Sequence, residues 1–404
     1  MILLPGTICQ KIRLNSFPIV FKKQVSMKKL LLTTKYLLVF LTILSFSACR
    51  ALYYNLPDLN DYEIFPYCKI SHNENNEFTF NKTTDSISYG EKIYVKDKPL
   101  GGKLVNLNEY CKLTKTAAYL IIRNDSLLYE YYGKGYGETT INNSFSVTKA
   151  FLTTLTGIAI DESKINSVND PVSRYISEYS DSDIGKIKIR QLLKHTSGIQ
   201  YNDNHKSPFS DNAKYYYGKN LRKYVLDLKL KQEPGKEFNY NSANSQLLAL
   251  VLERATGTTL SSYLEQKIWT KIGMEYDATW SMDRKGPLGM EKGFSGINST
   301  AIDLVKLGRL YLNKGVFNTD TILAEAFIKE ATKRDISEGS LWDYEYNFGV
   351  GPEKYHSFYA VGLFGQLIYV YPEKNVIIVR VVESDAHYNP AFVYYITNQI
   401  LDQL

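Results

Sequence analysis

The stretch Ser146-Val147-Thr148-Lys149 opens the apolar run AFLTTLTGIAI, residues 150–160, and the predicted fold and chemistry both depend on it. Residues three apart on a helix are surface neighbours, with roughly 5–6 Å between Cβ atoms, so the Lys149 amine can lie against the Ser146 hydroxyl. Such a pair is typical of a nucleophile and its base. In a first turn the Ser146 amide is also unpaired and favours negative charge on a bound acyl oxygen. The stretch therefore predicts one residue that is both nucleophile and oxyanion donor.

A capping serine followed by a helical lysine is also common in ordinary helices. The chain contains a second match, Ser26-Met27-Lys28-Lys29, near its N-terminus. The run after Lys149 distinguishes the first match, because its apolar residues cover most of the helix circumference. A helix that is apolar nearly all round is buried, and desolvation lowers the pKa of a lysine. Lys149 is therefore predicted to be a buried, neutral amine base.

Composition and charge limit the function classes. The 404 residues are 44% hydrophobic and 22% charged, which is ordinary for one large globular domain or two smaller ones. The formal charge of +6 is misleading, because residues 1–48 contain seven basic and no acidic residues. Removing those seven charges leaves −1 for the remainder, so a nucleic-acid partner has little support.

The N-terminal segment has the pattern of an export signal. Met27-Lys28-Lys29, with Met27 a second candidate start, precedes an apolar stretch that ends at residue 46. Phe46-Ser47-Ala48-Cys49 resembles the bacterial lipoprotein box, whose cysteine is lipidated and becomes the mature N-terminus. A signal-anchor helix is the alternative, although Lys35 interrupts the apolar stretch. One acyl chain on Cys49 would tether a soluble domain to a membrane face, so we expect an exported, membrane-anchored bacterial lipoprotein on the periplasmic side.

Three parts of the chain follow from this pattern. Residues 1–48 are predicted to be a leader and signal peptide, residues 49–113 an N-terminal extension, and residues 114–404 the main domain. Cys68 and Cys111 remain in the exported part and could pair in an oxidising compartment. The five histidines make no metal-ligand pattern, so we expect neither a metal nor an organic cofactor.

The periodicity of the main domain predicts an α+β fold. Two β-hairpins are expected, one near each end of the domain, over residues 118–132 and 367–382. The middle, residues 146–332, is mostly helical in pattern, and strand signals return only after it. A closing helix is expected with Asn389 as its cap and Pro390 at its first position. We predict an antiparallel sheet built from both termini and flanked by helices, with an inserted helical lobe and a substrate cleft between them.

A serine and an amine still need a second proton carrier. The best candidate is Tyr240, which lies just before a helix predicted from residue 246. A phenol beside a cationic lysine loses its proton more easily. Lys149 and Tyr240 could therefore share one proton and pass it from Ser146 to a leaving group.

These segments together resemble a known superfamily. Ser146-Val147-Thr148-Lys149 matches the nucleophile motif of serine β-lactamases and penicillin-binding proteins. Residues 191–199, QLLKHTSGI, and 234–248, from Pro-Gly through Tyr240 to Leu-Leu, are similar to two signatures of the class C β-lactamase-related branch. Residues 301–308, AIDLVKLG, are similar to a third. The chain resembles especially the esterases and 6-aminohexanoate-dimer hydrolases of that branch, and the resemblance implies a β-lactamase/D-Ala carboxypeptidase-like fold.

The resemblance also implies roles for individual residues. Ser146 would be acylated, with Lys149 its base partner and Tyr240 the shared acid/base. The third motif of the family aligns with residues 360–362, so that the Leu363 amide becomes the second oxyanion donor and Gly362 allows close approach of the substrate.

The chain departs from the β-lactamase pattern at two positions. Ala360 replaces the basic residue that holds a β-lactam carboxylate, and Ser242, a supporting residue, replaces an asparagine. Both changes argue against efficient penicillin turnover. His195 is expected to be structural, in the turn at Thr196-Ser197-Gly198, and Tyr201 could line the cleft.

The sequence thus predicts a serine hydrolase that cleaves small-molecule ester or amide bonds through an acyl-enzyme. A D-Ala-D-Ala peptidase or penicillin-binding protein acting on a peptide is one alternative, although a peptide carboxylate would need a cation where Ala360 stands. A non-catalytic binding protein of the same fold is another. An α/β-hydrolase is excluded because no Gly-x-Ser-x-Gly elbow occurs.

Overall fold

The computed structural model describes residues 32, 35–36, 56–96, 101–204, 207–337, 339–383 and 390–404, with side chains in the last segment from residue 394. The chain divides into two units, Met1–Tyr54 and Asn55–Leu404, and the fold described here is that of the second. The predicted signal peptide and the lipidation at Cys49 lie outside the described residues and stay predictions.

The described residues contain sixteen strands. They are β1 Tyr67–Ile70, β2 Asn81–Lys82, β3 Tyr94–Lys96, β4 Leu104–Asn106, β5 Thr116–Arg123, β6 Ser126–Tyr132, β7 Asn142–Asn143, β8 Ala278–Ser281, β9 Ile297–Ser299, β10 Val316–Phe317, β11 Asp320–Thr321, β12 Tyr344–Glu345, β13 Phe348–Val350, β14 Phe358–Val361, β15 Leu367–Tyr371 and β16 Val376–Val382.

The same residues contain ten α-helices of five residues or more. They are α1 Leu107–Leu113, α2 Thr148–Asp161, α3 Ile189–Leu193, α4 Asp211–Tyr217, α5 Leu221–Leu226, α6 Ser242–Thr256, α7 Leu260–Leu264, α8 Ala301–Leu312, α9 Glu325–Thr332 and α10 Pro390–Leu401. None of them is long and apolar enough to cross a membrane.

The main sheet confirms the predicted α+β class. Its eight strands have the order β12-β13-β14-β15-β16-β5-β6-β2. All neighbours are antiparallel except the edge pair β2 and β6. The two predicted hairpins form β5–β6 and β15–β16, and β16 pairs with β5, so the two ends of the domain meet in the centre of the sheet. Helices α2 to α9 are inserted between β6 and β12, where the pattern predicted them.

Alternate side chains of the central strands face two different cores, as the two-residue period of a strand requires. Leu120 and Ile377 belong to the larger core, which α2, α6 and α8 share. Ile121 and Ile378 belong to a smaller core on the opposite face, which α1 and α10 cover. A sheet buried on both faces has nearly continuous apolar strands, and this is why the sequence of β16 reads VIIVRVV.

A second, four-stranded sheet has the order β1-β8-β9-β7. The expectation that strand signals return only near the C-terminus is wrong here, because β8 and β9 lie within the middle segment. Both strands are short and carry Ser, Thr or Asn beside their apolar residues. Such segments show no clear alternation, so pattern alone does not find them.

The N-terminal extension contributes to both sheets. Its strand β1 pairs with β8, and β2 pairs with β6. Strands β3 and β4 pair with each other, and Gly101-Gly102 lies in a turn between them. Cys68 lies on β1 with its sulfur 3.3 Å from that of Met282, whereas Cys111 is buried in the smaller core. The two cysteines are therefore unpaired, and the disulfide considered from the sequence is not formed.

Candidate active site

The predicted nucleophile and base lie together at the start of α2. Phe145–Val147 forms a 3-10 turn that continues into the helix. The Lys149 Nζ atom lies 2.8 Å from the Ser146 Oγ atom and also 2.8 Å from the backbone oxygen of Phe294, to which it donates. The carbonyl fixes the amine, so its remaining hydrogen-bonding capacity is directed at the serine.

Lys149 is buried, with only 1% of its surface exposed, as the apolar run after it predicted. Desolvation lowers its pKa from the usual value to about 7, and the negative charge of Asp203 opposes this change. Because no carboxylate forms a salt bridge with the amine among the described residues, burial dominates. A substantial fraction of Lys149 is therefore a neutral amine at neutral pH, as a general base requires.

Tyr240 faces the same serine. Its aromatic ring lies 5.1 Å from Lys149 Nζ, measured to the ring centroid. The expectation that the lysine eases loss of the phenolic proton is wrong, because desolvation dominates and raises the pKa of Tyr240 to about 12, with the Ser146 side chain opposing the rise. Tyr240 therefore keeps its proton at neutral pH and is suited to act as an acid.

His195 holds Tyr240 in place and does not reach the serine. The two rings are stacked, with centroids 4.5 Å apart and planes 19° from parallel. The imidazole Nδ1 atom accepts from the Asn241 backbone N–H at 3.1 Å, which leaves Nε2 to donate to Asn347 Oδ1 at 3.0 Å. Burial lowers the pKa of His195 to about 3. The structural role expected for His195 thus becomes specific: it is a neutral platform under Tyr240.

Two backbone N–H groups are placed to act as oxyanion donors. Ser146 is the second residue of its 3-10 turn, and Leu363 is the first residue of another, Leu363–Gly365. The first N–H groups of such turns have no partner within the turn. The hydrogen bonds made by loops, turns and caps in the described residues include no donation from either group. Both residues line one cavity, so their N–H groups can converge on one acyl oxygen.

The backbone beside each donor is strained. Phe145, which precedes Ser146, has φ 45°, and Phe364, which follows Leu363, has φ 66°. Residues with a Cβ atom rarely adopt this left-handed region, and such outliers cluster at functional sites. The two phenylalanine rings pack edge to face with centroids 5.4 Å apart. This contact couples the two turns that carry the donors.

Gly362 allows these turns to approach each other. A Cβ atom at this position would lie 2.5 Å from the Ser144 backbone oxygen and 3.3 Å from the Phe145 Cβ atom. The residue has φ −111°, so glycine is required here for space and not for an unusual backbone angle. The sequence predicted close approach of the substrate, whereas the structure shows close approach of the nucleophile turn.

A cavity of about 250 Å³ opens onto Ser146. Its described lining combines aromatic and aliphatic side chains with four hydroxyl groups besides that of Ser146 and one amide, and it contains no charged residue. The lining residues are Pro57, Phe145, Ser146, Asn212, Tyr216, Tyr240, Ser242, Phe294, Ser295, Val361, Gly362 and Leu363.

The structure brings most of the predicted site residues to this cavity. Ser242, the first residue of α6, lines it and lies 3.4 Å from Asn212 Oδ1. Tyr201 does not line it; its hydroxyl donates to Asn212 Oδ1 at 2.9 Å and so supports the cavity wall from behind. Ala360 is buried in the larger core, and its neighbour Val361 faces the cavity instead.

Sequence patterns missed several wall residues, namely Pro57, Phe145, Asn212, Tyr216, Phe294 and Ser295. The only signal was positional, since Asn212 and Tyr216 follow closely after Tyr201, the residue that the sequence suggested for the cleft. Among the described residues, no group of three His, Cys, Asp or Glu side chains could hold a metal ion.

A family model described as β-lactamase matches residues 112–393. The chain belongs to the β-lactamase family. This confirms the resemblance found in the motifs, and it covers most of the segment predicted to be the main domain.

Two proteins that are similar in sequence to this chain are named as hydrolases. The 6-aminohexanoate-dimer hydrolase of Paenarthrobacter ureafaciens is 29% identical over 240 residues, which are 57% of this chain and 60% of that protein. The teichoic acid D-alanine hydrolase of Staphylococcus aureus is 24% identical over 369 residues, 83% of this chain and 86% of that protein. The chain thus spans less than two thirds of the first relative.

The fold of this family member is also that of solved structures. A Bacillus anthracis protein assigned provisionally as a 6-aminohexanoate-dimer hydrolase superposes with a TM-score of 0.75 at 22% identity. The match covers 85% of this chain and 92% of the other. At that identity the likeness establishes the fold alone.

Proposed function

We propose that this protein is a serine hydrolase that cleaves ester or amide bonds through an acyl-enzyme on Ser146. The observation that carries the proposal is the 2.8 Å contact between Ser146 Oγ and the buried, desolvated Lys149 amine. Both named relatives are hydrolases, which supports the same reaction class.

Acylation begins with attack of Ser146 Oγ on the substrate carbonyl carbon. The neutral Lys149 amine accepts the hydroxyl proton, while its bond to the Phe294 carbonyl keeps it in position. The developing oxyanion is stabilised by the N–H groups of Ser146 and Leu363. Tyr240 donates its proton to the leaving alkoxide or amine and regains one from the Lys149 ammonium. Deacylation runs these steps in reverse with water in place of the leaving group. Tyr240 passes its proton to the Lys149 amine as it accepts one from the attacking water, and the Lys149 ammonium then protonates Ser146 Oγ as it leaves.

The cavity lining indicates the substrate class. Its described part presents no cation for a substrate carboxylate, and Ala360 stands where the family places a basic residue. We therefore infer that the part of the substrate that enters the cavity is small and uncharged. This disfavours a D-Ala-D-Ala peptidase, whose substrate carboxylate needs a cation.

The test is hydrolysis of p-nitrophenyl acetate and butyrate by the purified protein and its Ser146→Ala variant. We expect turnover that is lost in the variant, and a stopped reaction should show a mass increase of one acetyl group on Ser146. Lys149→Ala and Tyr240→Phe should each reduce the rate by on the order of 10²–10⁴, the usual range for acid-base catalysis. Turnover that survives Ser146→Ala in a folded protein would reject the mechanism. A covalent adduct with a fluorescent penicillin, without ester turnover, would favour the penicillin-binding alternative.

A further inference from the structure

One cavity wall contains a buried hydroxyl group that has no partner. Ser295 is only 6% exposed, and its Oγ atom makes no hydrogen bond. Among the described residues that line the cavity, it is the only one with such a buried, unpaired side-chain atom. A buried polar group without a partner is costly, and each case in a native protein requires an explanation.

The turn that carries Ser295 is firmly held and does not offer the hydroxyl another partner. Its Lys292 backbone oxygen accepts from Trp280 Nε1 at 3.1 Å and from the Ser295 N–H at 3.2 Å. The Gly293 N–H donates to Gln246 Oε1 at 2.9 Å. The Lys292 side chain is buried, with its amine 3.8 Å from the centroid of the Phe65 ring. The backbone position of Ser295 is therefore fixed before any substrate binds.

The wall that contains Ser295 is separate from the residue that protonates the leaving group. Ser295 follows Phe294, whose ring contacts that of Tyr215, and the Lys292 amine donates to the backbone oxygen of Tyr216, another cavity residue. Tyr240, by contrast, is supported by His195. Because the leaving group must face Tyr240, the wall with Ser295 is left for the acyl group.

We propose that Ser295 determines specificity by hydrogen bonding to a polar atom of the acyl group. The rest of its wall is mainly aromatic, so a purely hydrocarbon acyl group would leave the hydroxyl unpaired in the complex. An acyl group with an oxygen atom a few bonds from the carbonyl carbon would satisfy it. This inference rests on the proposed function and narrows its substrate class to hydroxy- or alkoxy-acyl groups.

The experiment compares matched esters that differ by one atom. The p-nitrophenyl esters of methoxyacetate and butyrate have acyl groups of the same length, and those of 3-methoxypropionate and pentanoate move the ether oxygen one position outward. For at least one pair, we expect Ser295→Ala to change how well the enzyme prefers the ether ester. The kcat/KM for the ether ester divided by the kcat/KM for the hydrocarbon ester should fall about threefold to tenfold. That is the size expected for one neutral hydrogen bond. Intrinsic ester reactivity cancels in the comparison of variant with wild type.

Ser245→Ala is the matched control. Ser245 also has a buried Oγ atom without a partner, but it lies on α6 and does not line the cavity. We expect no change in the ratio for this variant. Ser295→Ala should unfold at a temperature no lower than wild type, because it loses no hydrogen bond of the free protein.

Unchanged ratios for both ester pairs in an active, folded Ser295→Ala variant would overturn the proposal and indicate that water alone pairs with the hydroxyl. Equal losses with every ester, accompanied by a lower unfolding temperature, would also overturn it by showing a structural role. Absence of any Ser146-dependent hydrolysis in the wild type would instead reject the proposed function, and this inference with it.

Discussion

At the scale of single residues, the site contains two buried nitrogen bases that burial affects differently. Both Lys149 and His195 have lowered pKa values, but that of Lys149 is about 7 and that of His195 about 3. His195 therefore stays neutral at any pH at which the protein would be assayed, whereas Lys149 changes charge near neutrality. Only the lysine can control activity there.

We predict that kcat/KM for p-nitrophenyl butyrate rises with pH through an apparent pKa near 7. Below that pH the Lys149 amine is protonated and cannot accept the Ser146 proton; above it the amine is neutral and the base is active. The check is a pH profile of kcat/KM, which reports ionisations of the free enzyme.

His195→Gln is the comparison for this profile. It should be slower, because Tyr240 loses its stacked support, but its inflection should stay near the same pH. A profile that loses the inflection in this variant would assign the titration to the histidine and contradict the prediction.

Some site residues could be predicted from the sequence and others could not, for a physical reason. Ser146, Lys149 and Tyr240 could be predicted because their side chains carry the chemistry and leave a motif. The Phe294 carbonyl could not, since every residue has a backbone oxygen and nothing in the sequence marks the one that lies near an amine. Ser295 was missed likewise, because its importance lies in having no partner, which only the packing reveals.

At the scale of elements, the site depends on how closely the end of β14 approaches the turn before α2. The Ser144 N–H and hydroxyl both donate to the Ile297 oxygen, at 3.0 and 2.7 Å, and so fix the turn to β9. Gly362 then packs against the Ser144 oxygen from the other side. The distance between the two oxyanion donors is set by this contact.

We predict that Gly362→Ala reduces kcat on the order of 10²-fold, because the added Cβ atom must push the Leu363 N–H away from its position. Misplacement of a catalytic group by about 1 Å can cost this much. The measurement is kcat for p-nitrophenyl acetate together with an unfolding curve.

The matched control is Gly137→Ala, where a Cβ atom would meet nothing within 4 Å and the backbone angle is ordinary. It should retain both activity and stability. An active Gly362→Ala variant with the same stability as wild type would show that the close approach does not position the donor.

Elements were predicted well where local pattern and burial agree. The hairpins that form β5–β6 and β15–β16 were visible as apolar runs around turn residues, and α6 ends at Thr256, followed by Gly257, whose φ of 70° suits a glycine cap. Strands β8 and β9 escaped prediction because short strands owe their conformation to pairing partners distant in sequence. The partner β1 of β8 lies in the extension, more than 200 residues away, and β9 pairs with β7 and β8.

At the scale of the whole molecule, α8 joins the main domain to the N-terminal extension. The family-like segment AIDLVKLG was notable in the sequence without an assigned role, and the structure supplies a structural one. Asp303 accepts from the backbone N–H groups of Glu275 and Tyr276 at 2.7 and 3.2 Å. Lys306 donates to the Gly273 oxygen at 2.9 Å, to Glu275 Oε1 at 2.6 Å and to the backbone oxygen of Phe78 in the extension.

We predict that Lys306→Met destabilises the protein by about 3–5 kcal/mol, the usual cost of breaking a buried ion pair by removing one partner. The Lys306 side chain is fully buried and its Glu275 partner is 10% exposed, so the abandoned carboxylate and two carbonyl groups have little access to water. The matched control is Lys329→Met. The Lys329 side chain is 72% exposed and pairs with Glu325, and exposed pairs contribute about 0–1 kcal/mol. Denaturant unfolding measures the free energy of unfolding of both variants. The pH at which kcat/KM changes should be the same in both, because neither lysine lines the cavity. Similar stabilities for the two variants would mean that the extension is held by its strand pairing alone and that the contacts of Lys306 add nothing.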